Sequence, residues 1–323
     1  MQLLSLSGNL KPMLRVVSVC CCCCLRTLGG FVLVIIANAQ TPTVSVTPSA
    51  DSFVRATAPT FNYGGAGAIA VSGSSATNAT GQTNGAFDSL ICFPASNIVA
   101  SLDAAIGSHA WVITRARLHL TEMASPPHPM FNRGLGTFEV RWIARDNWIE
   151  GTGVPVQPTT DGVRYQDLPL ILAPGTDLSL GYFTNSGLDV SRVFELIPAA
   201  SFANDVRAGG DVSLYLTAAS PQIGFTIESR TFTLSNNWPT LEITALAAPN
   251  GVLQSIVKSG PSQITIHFDS ASNWVTVLQT ANDVAFGSPS NLLTVPAQGG
   301  SVQTNFQDSI SSPGKFYRLV FRQ

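Results

Sequence analysis

The segment Ile113–Thr121, with the sequence ITRARLHLT, alternates polar and apolar residues over most of its length. Side chains along a β-strand point alternately to the two faces of a sheet, so this pattern predicts a strand with one buried face. The residues predicted to face the core are Ala116, Leu118 and Leu120, and those predicted to face outward are Arg115, Arg117 and His119. Strands of this kind bury their apolar face against a second sheet in a β-sandwich.

A second segment, Phe138–Arg145, repeats the alternation with the sequence FEVRWIAR. The residues predicted to share the core face are Phe138, Val140, Trp142 and Ala144; those predicted to share the outer face are Glu139, Arg141, Ile143 and Arg145. Two strands with the same binary pattern favour a sheet packed on one side only.

Short segments of this type recur along the chain and are bounded by Gly, Pro, Asn and Asp, which favour turns. From residue 40 onward the sequence predicts no long apolar stripe of helical period, and only Ser201–Arg207 is predicted as a helical turn, with Ser201 as its cap. The further predicted strands are Asp51–Arg55, Ile69–Val71, Phe87–Phe93, Leu178–Phe183, Val193–Leu196, Val212–Thr217, Gly224–Glu228 and Thr240–Ala245.

A turn-forming stretch, residues 248–251, predicts a linker between two domains. The strands predicted after it are Gln263–Phe268, Val275–Thr280, Leu292–Val295 and Phe316–Phe321. We therefore expect an all-β protein, with a large antiparallel, jelly-roll-like β-sandwich over residues 40–247 and a small Ig- or fibronectin-like β-sandwich over residues 252–323.

The N-terminal residues 1–39 have the features of a secretory signal peptide. They contain basic but no acidic residues, a short apolar run at Phe31–Ile36, and the small residues Ala37 and Ala39 before Gln40. The run is much shorter than the roughly 20 residues that span a bilayer. An uncleaved membrane anchor is the alternative, and Met13 is an alternative start to Met1. The protein is therefore expected to be secreted or on the cell surface, with no membrane span after cleavage.

Removal of residues 1–39 would leave 14 basic and 19 acidic residues and a single cysteine, Cys92. A net negative chain is a poor general binder of nucleic acid. With one cysteine the mature chain can form no internal disulfide, and Cys92, beside Ile91 and Phe93, is expected to be a small buried residue.

A series of short segments in residues 48–247 has a recognisable order. They are Asp51–Arg55, Asn62–Gly64, Ile69–Val71, Phe87–Leu90, Ile113–Leu120, Trp148–Gly153, Asp205–Leu214 and Pro239–Ile243. Their order and spacing resemble DNRLRE-type domains, which are large β-sandwich modules similar to family 96 carbohydrate-binding modules. Downstream, Asn273–Val275 followed by Lys315–Leu319 resembles the W…FYR pattern of small Ig-like domains in secreted bacterial surface proteins. The resemblance implies carbohydrate binding by the first domain and no chemistry by the second.

Arginines supply the first candidate binding site. If the strands that carry them are neighbours, Arg115, Arg117, Arg141 and Arg145 would form one outward basic face. Guanidinium groups bind carboxylates bidentately, so this face would suit an anionic polysaccharide such as a uronate. A solvated sheet face is the alternative.

Aromatic and acidic residues in loops supply further candidates. Trp148 and Tyr63 lie near turns, where an exposed flat ring could pack on a sugar; structural packing is the alternative for each. Asp146, Asp161 and Asp167 lie in Gly- and Pro-rich loops and could donate oxygens to a structural calcium, although turn-forming aspartates are the alternative. No other cofactor is expected.

Motifs of catalysis are not found in the sequence: there is no G-x-S-x-G, H-E-x-x-H or phosphate-binding loop. We therefore expect a non-enzymatic surface or matrix protein whose partner is a polysaccharide. The alternatives are a structural or adhesive spacer that binds other surface proteins and, less favoured, a polysaccharide-degrading enzyme.

Export with cleavage after Ala39 would leave Gln40 as the first residue of the mature protein. N-terminal sequencing of the secreted protein checks this, and a protein that keeps residues 1–39 in a membrane fraction would contradict it.

Overall fold

The computed structural model describes residues 41–78, 80–123, 134–185, 191–282, 285–309 and 315–322. The predicted signal peptide, residues 1–39, lies outside them. Within these residues, no helix combines the length and the apolarity that a membrane span requires.

The described part of the chain is all-β, as predicted, with 49% of its residues in strands and 12% in helices. Residues 43–247 build two antiparallel sheets that face each other. Their strands are β1 (Thr43–Val46), β2 (Ala50–Arg55), β3 (Ala68–Ser72), β4 (Phe87–Pro94), β5 (Trp111–Thr121), β6 (Gly136–Ile143), β7 (Leu178–Asn185), β8 (Ser191–Leu196), β9 (Asp211–Ala218), β10 (Gly224–Glu228) and β11 (Thr240–Ala247). The front sheet has the order β1-β11-β5-β8; the back sheet has the order β10-β3-β4-β9-β6-β7, with β2 paired to β4.

Strand β5 has the predicted alternation. Ala116, Leu118 and Leu120 are buried in the core between the sheets. Across that core, the Phe138 ring of β6 meets the Phe194 ring of β8 edge-on, with the centroids 5.3 Å apart. The two sheets are therefore joined by interdigitated apolar side chains, as in other sandwiches.

Strand β6 departs from the prediction on its outer face. Ile143, expected to be exposed, is completely buried, whereas Ala144, expected in the core, lies outside the strand and is exposed. The cause is residues 145–172, which we call the covering segment, because its side chains pack over the outer face of the back sheet. The buried cluster formed there contains Val54, Leu90, Cys92, Ile143, Trp148, Val163, Leu168, Ile171 and Tyr215. Cys92 is thus buried and free, as predicted, and burial raises the pKa of its thiol to about 11.

Three short helices complete this part: α1 (Ser96–Ile106), α2 (Leu168–Ile171) and α3 (Ala200–Ala208). Helix α1 was not predicted, yet its residues Ile98 and Leu102 are four apart and both belong to the core. Helix α3 includes the predicted helical turn, but Ser201 is not its cap: the cap position is Ala199, which has no capping side chain.

Residues 252–322 build two further sheets of three strands each among the described residues, ordered β12-β13-β16 and β15-β14-β17. The strands are β12 (Val252–Lys258), β13 (Gln263–Asp269), β14 (Val275–Ala281), β15 (Ser290–Val295), β16 (Gln303–Ser309) and β17 (Phe316–Arg322). Their buried residues form a separate cluster around Ile266 and Phe268. Strands β12 and β16 were not predicted, because a bulge interrupts the alternation of β12 and β16 is mostly polar.

One buried amide, the side chain of Asn62, fixes the covering segment to the sandwich. Its Nδ2 donates to the carbonyl oxygens of Glu150 (2.6 Å) and Val163 (2.9 Å). Its Oδ1 accepts from the backbone N–H groups of Gly64 (3.0 Å) and Gly153 (3.2 Å). Asn62 is fully buried, so each of these bonds replaces one that water would otherwise make.

The surrounding glycines allow this close approach. A Cβ atom on Gly64 would lie 2.1 Å from the Glu150 carbonyl oxygen, which is a severe clash. Gly151 has a φ of +77°, a conformation that other residues rarely adopt, and a Cβ there would lie 2.2 Å from Asn62 Oδ1. The Gly-rich sequence of these loops is therefore a requirement of the Asn62 hydrogen bonds.

Substitution Asn62→Ala is expected to lower the free energy of unfolding by about 3 kcal/mol, since it leaves four buried backbone groups without partners. Urea denaturation measures the loss, and hydrogen exchange should quicken first in residues 147–163. The matched control Asn236→Ala, at an exposed position, should change stability by about 0.5 kcal/mol or less. Equal effects of the two substitutions would refute the role given to Asn62.

Candidate functional site

The predicted basic face does not form, because its two strands belong to different sheets. Strand β5, with Arg115 and Arg117, lies in the front sheet, and β6, which precedes Arg145 and contains Arg141, lies in the back sheet. The sequence pattern gave the outward direction of these side chains but could not tell which strands are neighbours.

Arg115 and Arg117 are also compensated by acidic residues on adjacent strands. Both donate to the carboxylate of Glu195 on β8, and Arg117 Nη1 donates to Glu242 on β11 at 3.0 Å. Hydrogen bonds from Arg115 are the main cause that lowers the pKa of Glu195 to about 2. The face is thus a row of alternating charges, and such exposed pairs contribute little to stability.

Arg141 of β6 and Arg145, which follows that strand, bond to backbone carbonyl groups. Arg145 donates to the carbonyl of Leu170 in the covering segment. Arg141 Nη2 lies 3.5 Å from the Asp177 carbonyl oxygen, and its Nε is shielded from solvent. Arg145 thus bonds within the covering segment, and Arg141 bonds to the residue that precedes β7, outside that segment.

Trp148 is not the exposed aromatic platform that its place near a turn suggested. It is 9% exposed, and its indole Nε1 donates to the Ser213 hydroxyl at 2.9 Å. It packs in the cluster beneath the covering segment, which the sequence could not show because the covering layer itself has no simple period.

Tyr63 is likewise buried, at 5% exposure, and its ring stacks on Phe53 with centroids 4.7 Å apart. Its edge nevertheless lines a small pocket of about 130 Å³. The residues that line this pocket, which we call the Arg55 pocket, are Phe53, Arg55, Tyr63, Asn84, Phe87 and Pro155. Of the residues predicted as ligand-binding, Tyr63 alone lies here.

Arg55 is the functional candidate that sequence reasoning missed. Its guanidinium lies 5.3 Å from the centroid of the Phe87 ring, a cation–π contact. Its Nε is shielded from solvent and has no hydrogen-bond partner among the described residues, nor does its side chain form an ion pair with any of them. The available signal was its position as the last residue of β2, after Phe53 and Val54, where a charge sits at the margin of an apolar cluster.

The candidate calcium ligands are not gathered into one cluster. Thr152 and Thr159 donate to Asp161, and these hydrogen bonds lower its pKa to about 2. Asp167 pairs with Arg164 at 2.8 Å, and Asp146 is half-buried. Among the residues that the structure describes, no group of three or more His, Cys, Asp or Glu side chains could hold a metal ion.

A larger depression, which we call the Asp161 cleft, lies on the covering segment and has a volume of about 290 Å³. It is lined by Asn147, Trp148, Ile149, Thr160, Asp161, Gly162, Val163, Asp167, Leu170 and Ile171. Three of the predicted site residues, Trp148, Asp161 and Asp167, therefore meet in one place, although none does so in the role first expected.

A partly buried polar cluster ties the covering segment to β2. The backbone N–H of Arg230 donates to Asp51 Oδ2 at 2.7 Å, while the Arg230 guanidinium binds both carboxylate oxygens of Glu150. Asp51 is fully buried and its Oδ1 has no partner among the described residues. Burial, opposed by the bond from Arg230, raises the pKa of Asp51 to about 7.

The chain matches no family model and no curated protein. The resemblance to DNRLRE-type domains thus stays a prediction.

The Asp51 carboxyl predicts a decrease of stability with rising pH. Between about pH 4 and pH 7 the folded protein keeps a proton on Asp51 that the unfolded chain has released, so the stabilisation is complete below pH 4 and is lost as the pH rises through 7. The loss is of order 2–4 kcal/mol. Substitution Asp51→Asn should flatten this part of the stability profile, measured by denaturant unfolding at several pH values. The exposed Asp211→Asn is the control; an unchanged slope in Asp51→Asn contradicts the argument.

Proposed function

We propose that this chain is an exported, non-catalytic protein of the cell surface or extracellular matrix that binds an acidic polysaccharide through the Arg55 pocket. The observation that carries the proposal is the guanidinium of Arg55 at the wall of an aromatic pocket, where it forms no ion pair with a described residue. A cation held without a counter-ion among the described residues is available to a ligand carboxylate.

The chemistry of the pocket suits a uronate. A guanidinium presents parallel N–H donors that match the two oxygens of a carboxylate, and the contact is strengthened where water is partly excluded. Tyr63 and Phe87 add apolar ring edges beside it. The pocket volume of about 130 Å³ suits one edge of a sugar ring, as expected when a polymer is bound at successive units.

The residues that line the pocket also favour binding over catalysis. They include no carboxylate, imidazole or thiol that could transfer a proton or attack a glycosidic carbon. This supports the expectation of a binding module.

Substitution Arg55→Gln is expected to weaken retention on immobilised polygalacturonate at low salt by at least tenfold, because a charged hydrogen-bond pair contributes about 1.5–3 kcal/mol. Affinity electrophoresis or biolayer interferometry measures this, with a neutral glucan as the reference polymer. The wild-type protein should bind the polyuronate in preference to the glucan.

The matched control is Arg115→Gln, which removes the same charge from the front sheet, where Arg115 is already paired with Glu195. It should leave retention within about twofold of wild type, since that charge is compensated. Single-stranded DNA tests whether any polyanion suffices. Equal losses in the two variants, or equal binding of DNA and polyuronate, would show that non-specific charge and not the Arg55 pocket retains the polymer.

A further inference from the structure

We infer that the Asp161 cleft is a second, independent binding site, and that its ligand is a peptide segment in which a lysine or arginine neighbours an aliphatic side chain. The inference goes beyond the proposed function, because it concerns a protein partner and a different set of residues. It rests on the charge, the apolar rim and the rigidity of the cleft.

The charge of the cleft is negative and available. Asp161 Oδ1 accepts from the Thr152 N–H (3.0 Å) and the Thr159 hydroxyl (2.5 Å), whereas Oδ2 accepts only from the Thr152 hydroxyl (2.6 Å). These donors hold the carboxylate ionised and fix its orientation. A carboxylate oxygen can accept two hydrogen bonds, so Oδ2 keeps room for a donor from a ligand.

No basic residue is among the described residues that line the cleft, and a cation at its rim, Arg145, donates to the carbonyl of Leu170. The other carboxylate, Asp167, is already paired, because Arg164 donates to both its oxygens at 2.8 and 3.1 Å. Asp161 itself is bonded by threonine groups and forms no ion pair with a described residue, so it complements a single ammonium or guanidinium group.

The rim of the cleft is aliphatic and unusually exposed. Ile149 is 69% exposed and Leu170 is 72% exposed, while Trp148, Val163 and Ile171 are buried beneath them. A ligand that covers these two aliphatic side chains would remove their apolar surface from water. Since the one aromatic ring of the lining, Trp148, is buried, the cleft offers no flat face to a sugar, and this favours a peptide.

The cleft is also held rigid before any ligand binds. The Val163 N–H donates to the Ile149 carbonyl at 2.7 Å, and the Val163 carbonyl accepts from Asn62. Both walls are thus fixed through the backbone, so a ligand would not have to order them, and less binding free energy is lost to conformational entropy.

The test uses fluorescence anisotropy of a labelled peptide, acetyl-Leu-Lys-Leu-Lys-Leu-amide, with the full secreted protein. Two matched peptides, with Gln in place of Lys or Gly in place of Leu, remove the charge and the apolar part separately. We expect each to bind at least tenfold more weakly. Asp161→Asn and Leu170→Gln should each weaken binding of the first peptide at least fivefold. Leu170 is exposed, so its substitution tests the cleft even if Asp161→Asn perturbs the loop.

The matched control is Asp211→Asn, which removes one exposed carboxylate outside the cleft and should leave binding within about twofold of wild type. Arg55→Gln should also leave it unchanged, which separates this site from the polysaccharide site. Peptide binding that persists in both cleft variants overturns the inference. Tighter binding of a glucosamine oligomer than of the peptide would overturn the assignment to a protein partner.

Discussion

The side-chain amide of Asn62 is the constraint on which the rest of this surface depends. All four of its strong hydrogen-bonding positions are used, and they join the loop after β2 to both halves of the covering segment. The neighbouring Tyr63 lines the Arg55 pocket, and Val163 lines the Asp161 cleft. A single buried group therefore sets the positions of residues in both sites, and a fully satisfied buried polar network of this kind specifies one arrangement of its loops.

The arginines of this protein differ in whether a nearby carboxylate neutralises them, and this matters more than how many of them lie together. Arg115 and Arg117 lie close together in the sequence. Their positive charges are neutralised, however, because Glu195 and Glu242 lie beside them on the neighbouring strands. Arg55 is a lone cation whose described neighbours are aromatic rings and amides. A site that attracts an anionic ligand needs a positive charge that no protein carboxylate neutralises. Arg55 is therefore the stronger candidate for ligand binding, although it belongs to no cluster of arginines in the sequence.

Sequence periodicity predicted which side chains are buried where burial depends on the strand alone. It failed where the covering segment packs over the outer face of the sheet. The inward face of β5 followed from alternation alone, because strand geometry fixes it. The burial of Ile143 and Trp148 could not be predicted, since it depends on residues 145–172, which fold back over the sheet without a regular period. Helix α1 was missed because only Ile98 and Leu102 are fully buried along its 11 residues, too few to stand out as a stripe. The glycines near Asn62 indicate that backbone segments approach closely there, but the sequence does not show which groups Asn62 bonds to.

The polar cluster of Asp51, Glu150 and Arg230 acts on one residue of the same covering segment. Burial of a carboxyl with one oxygen unpartnered is costly, and replacing buried ion pairs by apolar groups often does not destabilise a protein. Stability alone thus gives no reason for the cluster. Its geometry gives one: the Arg230 guanidinium fixes the side chain of Glu150, and the carbonyl of that same residue accepts the shortest bond from Asn62, at 2.6 Å. The charges select the position of the loop, and this position is what the Asn62 amide then holds.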